Sequence, residues 1–129
     1  MDKSISLIIP AEAEYIRIVR LALLGIATEA GYSFEDIEDM KLAVSEACNQ
    51  AVLSATGNGM NGTLKVDYKV MDKSMRIRIK DRGVRSSRAA ISPNAALPGE
   101  FGLLIMNTLM DQVHIRSSSQ VTLSKLKSM

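Results

Sequence analysis

Tryptophan is absent, and only two Phe and three Tyr are spread over 129 residues. So thin an aromatic complement leaves little from which to build a stacking platform for nucleic-acid bases. One cysteine, Cys48, and one histidine, His114, rule out the usual zinc clusters and an internal disulfide. They also leave little for a Cys-His or Ser-His nucleophilic site. No apolar run approaches the roughly 20 residues that a membrane-crossing helix needs. The opening Met1-Asp2-Lys3-Ser4-Ile5 has neither the basic region nor the long apolar stretch of a secretory leader. With the lone cysteine, this makes the cytoplasm the expected compartment, with no membrane association. Net charge is small as well, at +2, which by itself does not call for a nucleic-acid partner. Carboxylates, amides and glycines are left to carry most of any chemistry.

What is present is an ordinary globular balance, 47% hydrophobic and 23% charged, in a length that suits one domain over residues 1–129. Ser4 to Ile9 alternates weakly and stops at Pro10, a first strand. From Glu12 the period becomes helical, with Ile16, Val19, Leu23 and Ile26 on one stripe and Gly31 as a stop. Ser33 can cap a second helix whose first turn holds Glu35 and Asp36, where the helix dipole favours negative charge. Its apolar stripe, Ile37, Met40, Val44, Ala47 and Ala51, runs to about Ala55.

Two alternating stretches follow, Leu64 to Val70 and Met75 to Lys80, which predict an antiparallel hairpin. Arg76, Arg78 and Lys80 form its outward row, most simply a solvated sheet face. Val84 to Gly99 has no period and reads as a long loop. Phe101 to Asp111 predicts a short helix, then Val113–Arg116 and Val121–Leu126 a last hairpin. The order predicts an α/β (α+β) two-layer sandwich, a mixed, mostly antiparallel sheet with helices on one face.

Four features bear on chemistry. Ser45-Glu46-Ala47-Cys48-Asn49-Gln50 places a carboxylate and two amides beside the apolar stripe of the second helix. Asp81-Arg82-Gly83 follows a strand; the carboxylate is an acceptor for an exocyclic amine, and the glycine lets a flat ring approach the backbone. Gly99-Glu100-Phe101-Gly102-Leu103 leads into a helix, where exposed backbone N–H groups attract an anion. Thr122 supplies a hydroxyl in the last strand. Each also has an ordinary structural reading: a solvated flank, a turn, a loop, a β-branched strand residue.

In this order the four features resemble the GHKL (Bergerat-fold) ATPases. Pro10-Ala11-Glu12-Ala13-Glu14-Tyr15, the run Ile37 to Cys48 and Leu109-Met110-Asp111-Gln112-Val113 narrow the likeness to the anti-sigma-factor serine kinases, over roughly Ile5 to Lys125. The resemblance implies ATP or ADP with Mg²⁺ as cofactors. It implies Glu46 as the general base toward a serine of an anti-anti-sigma (STAS-type) partner, and Asn49 and Gln50 at the metal and nucleotide. It further implies Asp81 and Gly83 around the adenine, Gly99, Gly102 and Leu103 in the phosphate loop, and Thr122 behind the adenine. Arg20 matches a position that contacts protein partners, among them a sigma factor, and the family tendency is a homodimer.

The chain departs from the family pattern at four places. Gln50 stands where the family has its metal-holding Asn, and Glu100 replaces a phosphate-loop glycine. The loop from Val84 to Pro98 is shorter than the family's lid, and Leu53-Ser54-Ala55-Thr56 lacks the usual His. The first two departures fall on the metal and phosphate sites, so a catalytically weak or inactive GHKL-fold module that only binds regulatory partners stays open beside the kinase. A nucleic-acid binder using the Arg/Lys-rich strand is the weakest reading, given the charge and the aromatics.

Overall fold

The structure, a computed structural model, describes residues 2–57, 62–81, 100–117 and 120–127. Five strands form one sheet in the order β1-β2-β3-β5-β4. They are β1 (Lys3–Pro10), β2 (Thr63–Val70), β3 (Ser74–Asp81), β4 (Gln112–Ser117) and β5 (Gln120–Leu126). Every pairing is antiparallel, where a mixed sheet was expected. The cause is where the chain re-enters the sheet: β4 takes the outer edge, and only β5, its hairpin partner, pairs with β3.

Among the described residues three helices cover one face. After a 3-10 turn at Ala13–Tyr15 comes α1 (Ile16–Glu29), followed by α2 (Phe34–Gly57) and, later, α3 (Glu100–Leu109). The stop after α1 follows from its sequence. Gly31 takes φ 86°, a left-handed conformation that suits glycine. The Gly31 and Tyr32 N–H groups then donate back to the carbonyls of Thr28 and Ala27 at 3.1 and 3.0 Å. That is a Schellman closure, and it satisfies carbonyls the helix end would leave orphaned. Helix α2 starts as its sequence requires, with the Asp36 N–H donating to Ser33 Oγ at 3.1 Å.

The core lies between the helices and the inner sheet face. Val19, Leu23, Met40, Val44, Leu64, Val66, Ile77 and Leu123 have no exposed area. Burying each such side chain contributes on the order of 1.5–3 kcal/mol. Met106 and Met110 join them, so the methionines of α3 fill core space. Tyr68 is buried on the inner face of β2, and its hydroxyl donates to the Val19 carbonyl of α1 at 2.9 Å. Burial raises its pKa well above the usual tyrosine value, so it acts as a neutral donor. Tyr68→Phe is expected to cost about 1 kcal/mol of stability, seen as a lower urea midpoint at unchanged slope.

Candidate functional site

Connectivity brings three segments to one end of the sheet. The C-terminal half of α2 leads, after a short connection, into the start of β2, and there Leu64 pairs with Asp81 at the end of β3. Helix α3 also begins at that end, since its other end leads into β4 beside Ser124 and Arg76. Asp81 therefore closes strand β3 itself instead of following it. It alternates inward with Met75, Ile77 and Ile79 and is only 8% exposed, an uncommon place for a carboxylate.

Helix α2 is the middle helix, and two neighbouring residues on it face opposite flanks. Ser45 is turned toward α1, where Arg20 Nη1 donates to its Oγ at 3.3 Å. Glu46 is turned toward α3. A Cβ built on Gly102 would fall onto Glu46 Oε1 and lie 3.1 Å from its Cδ and 3.2 Å from its Cγ. Only glycine in the first turn of α3 leaves that carboxylate its place. Gln50 stands one turn on, and its Nε2 donates to Glu46 Oε1 at 3.1 Å. The amide nitrogen is thus committed to the carboxylate, and the amide oxygen is the atom left to meet a cation.

The structure brings together Glu46, Gln50 and Gly102, with half-buried Leu103 beside them on α3 and Asp81 at the same end of the sheet. It separates Asn49, which lies about 100° round the helix from Gln50 and points to solvent. Thr122 needs a correction. It pairs with Arg78 on one side and His114 on the other, so it stands on the outer sheet face, away from Glu46 and the helices. The inner positions of β5 belong to its neighbours Val121 and Leu123. Arg20 is half-buried between α1 and α2, not a freely solvated flank residue. Gly102 and Glu100 lie within α3, not in a loop ahead of it. Gly83, Gly99 and the loop from Val84 fall outside the described residues.

Cys48 has no exposed area, and burial pushes its thiol up to about 12, with Arg20 nearby pulling weakly the other way. It is a core residue with no nucleophilic use near neutral pH. Ser45 was visible in the sequence only as part of a motif. Its signal was a hydroxyl at a core-facing position of α2, which needs a buried partner. Four exposed apolar side chains were also missed: Leu42 and Leu53 on α2, Phe101 and Leu104 on α3.

The family pattern described as the histidine kinase-like ATPase domain matches residues 9–125. The chain belongs to this family. Among its relatives in the histidine kinase-like ATPase family, the serine-protein kinase RsbW of Bacillus velezensis is 38% identical, over 92% of this chain and 81% of that protein. The serine-protein kinase RsbW of Bacillus subtilis is 34% identical with the same coverage. The solved RsbU and RsbW domains of a Mycobacterium tuberculosis protein match with a TM-score of 0.67 over 96% of this chain, at 22% identity. This chain spans 32% of that longer one, and the likeness is one of fold. Family membership implies ATP binding. Among the described residues no helix is long and apolar enough to cross a membrane.

Proposed function

We propose that this chain is a Mg²⁺- and ATP-dependent serine kinase acting on an anti-anti-sigma (STAS-type) protein, and that it holds a sigma factor inactive when that partner is absent. The observation that carries the proposal is Glu46, set against Gly102 and tied to Gln50, in a chain 38% identical to a serine-protein kinase.

The residues fit a nucleotide with its metal. Glu46 and Gln50 offer oxygen donors, the chemistry Mg²⁺ takes. No group of three or more His, Cys, Asp and Glu gathers among the described residues, so phosphate oxygens and water would complete the ligand set. Gln50 would hold the metal through its amide oxygen. Asp81 would accept from the adenine amine, with Gly83, Gly99 and Leu103 lining the nucleotide. Bound Mg²⁺-ATP supplies the phosphoryl group and the charge that offsets its phosphates.

The rest falls to this chain. Gln50 fixes the orientation of Glu46, and Glu46 takes the proton of the incoming serine hydroxyl. Leu42, Leu53, Phe101 and Leu104 expose apolar surface on the two helices that carry Glu46 and Gly102, which suits a protein substrate more than a small molecule. Arg20 would meet the protein partners, in a pose set by Ser45. On this reading residues 1–129 form one ATPase domain that works in the cytoplasm without nucleic acid or membrane. A homodimer would cover the exposed Ile5 of edge strand β1 and Leu21 of α1.

The test is calorimetry of ATP with and without Mg²⁺, followed by label transfer to a STAS-type protein. Binding in the micromolar range that weakens at least about tenfold in Asp81→Asn is expected, since the amide loses one acceptor and the charge. Undiminished binding in Asp81→Asn would remove Asp81 from the adenine site. ATP binding without any transfer would leave the regulatory binding module.

A further inference from the structure

The sheet face turned away from the helices is strongly cationic. Lys65, Lys69, Arg76, Arg78, Lys80 and Arg116 all stand on it, answered by Asp67 in the middle and Asp2 at the margin. Six cations face two carboxylates here, in a chain whose net charge is only +2. The register makes this unfavourable. Lys65 lies directly opposite Lys80, and Lys69 directly opposite Arg76. Like charges opposed across an antiparallel pair destabilise it. The relief is partial: Asp67 lies 3.6 Å from Arg78 and 4.0 Å from Lys65 and accepts from the Ser6 hydroxyl at 2.6 Å, and Asp2 lies 3.8 Å from Lys69. Strands β4 and β5 extend the face with Gln112, Gln120, Thr122 and Ser124 around an open depression of about 610 Å³.

We infer that this face docks a carboxylate-rich segment of a protein partner. Side chains two residues apart on a strand stand about 7 Å apart, and those on adjacent strands about 5 Å. An extended acidic peptide repeats its side chains on one side at the same 7 Å, so its carboxylates meet the row Arg76, Arg78 and Lys80 in step. Each would relieve repulsion already present in the free protein. The amides and hydroxyls of β4 and β5 both donate and accept, as a peptide backbone requires. Among the described residues this face carries no Phe, Tyr or Trp side chain, so it lacks the broad stacking surface that holds single-stranded nucleic acid. It lies across the sheet from Glu46 and Asp81, so the docking goes beyond the kinase reading and does not depend on it.

The test is fluorescence anisotropy of a labelled poly-glutamate peptide titrated with the full chain at about 0.15 M salt. The side-chain NMR signal of His114, the one histidine, serves as a reporter within the face. Saturable binding that moves the His114 signal is expected, weakened at least about tenfold by the double reversal Arg76→Glu and Arg78→Glu. ATP binding, measured on the same variant, stays unchanged and separates failure here from failure of the kinase reading. Lys69→Glu removes a cation from the face and adds a carboxylate beside Asp2, so it should weaken the peptide as well. Absent binding, binding that ignores the double reversal, or an unmoved His114 signal would overturn the inference. So would a single-stranded DNA of equal charge binding as tightly, which would mark a surface for polyanions in general.

Discussion

Glu46→Gln is expected to lower phosphoryl transfer to the protein substrate by about 10²–10⁴-fold while ATP binding holds within a few-fold. The substitution keeps the length and nearly the volume of the side chain, so the contact with Gly102 survives. What disappears is the proton acceptor. A carboxamide cannot take the serine proton, and its nitrogen would meet the Gln50 amide as a second donor unless one of the two turns over. Stability should change by less than about 1 kcal/mol, since Glu46 is half-exposed and its bond to Gln50 has a neutral substitute. Initial rates with labelled ATP, beside calorimetry on the same protein, separate the two effects. A variant that transfers within about threefold of the parent would show that Glu46 is not the base. Loss of transfer and of ATP binding together would make it a nucleotide ligand instead.

The sequence makes the elements legible because each is announced by local chemistry. Ser33, Gly31 and the alternation of β2 and β3 set boundaries within a residue or two of those found. What it does not announce is which strands become neighbours. Nothing in the period of Gln112–Ser117 says that β4 will take the outer edge and leave a wholly antiparallel sheet. Thr122 fails for a related reason. Its strand is where the alternation places it, but a one-residue change in parity moves a side chain to the other face. The signal that would have placed it was there: Val121 and Leu123 are apolar, Thr122 and Ser124 are not, and β5 has one face on the core.

The choice between Asn49 and Gln50 is of the same kind. Both lie on the edge of the apolar stripe, and the outcome depends on which flank of α2 receives α3, a tertiary fact. Once α3 is in place, Gln50 sits on its side and Asn49 on the solvent side. The same packing explains why Ser45 and Glu46, adjacent in the chain, belong to different surfaces. A residue step of about 100° on a helix held between two others carries one side chain to α1 and the next to α3. Arg20 and the Asp81 end of the sheet are therefore joined through one rigid element, and any movement of α2 that shifts Glu46 also shifts the anchor of Arg20.

Gly102→Ala is expected to separate stability from function. Glycine inside a helix is less favourable than alanine by up to about 1 kcal/mol, so α3 itself gains from the substitution. The new Cβ has no room, however, because it would fall onto Glu46 Oε1 and lie 3.1 Å from Glu46 Cδ. The obstructing atoms are the far end of a flexible side chain, so the cheap response is for Glu46 to swing to another rotamer and for its bond to Gln50 to break. Losing that bond costs on the order of 1 kcal/mol, which nearly offsets the helical gain and leaves Tm within a few degrees of the parent. Transfer should fall by 10²-fold or more, roughly as in Glu46→Gln, because a base displaced by about 1 Å no longer reaches its proton. Thermal unfolding and transfer rates on the same preparation read both quantities. Full activity in a stable Gly102→Ala would mean that the contact with Gly102 does not position Glu46. A large loss of stability would mean that α3 moves as a body and that the carboxylate holds its ground.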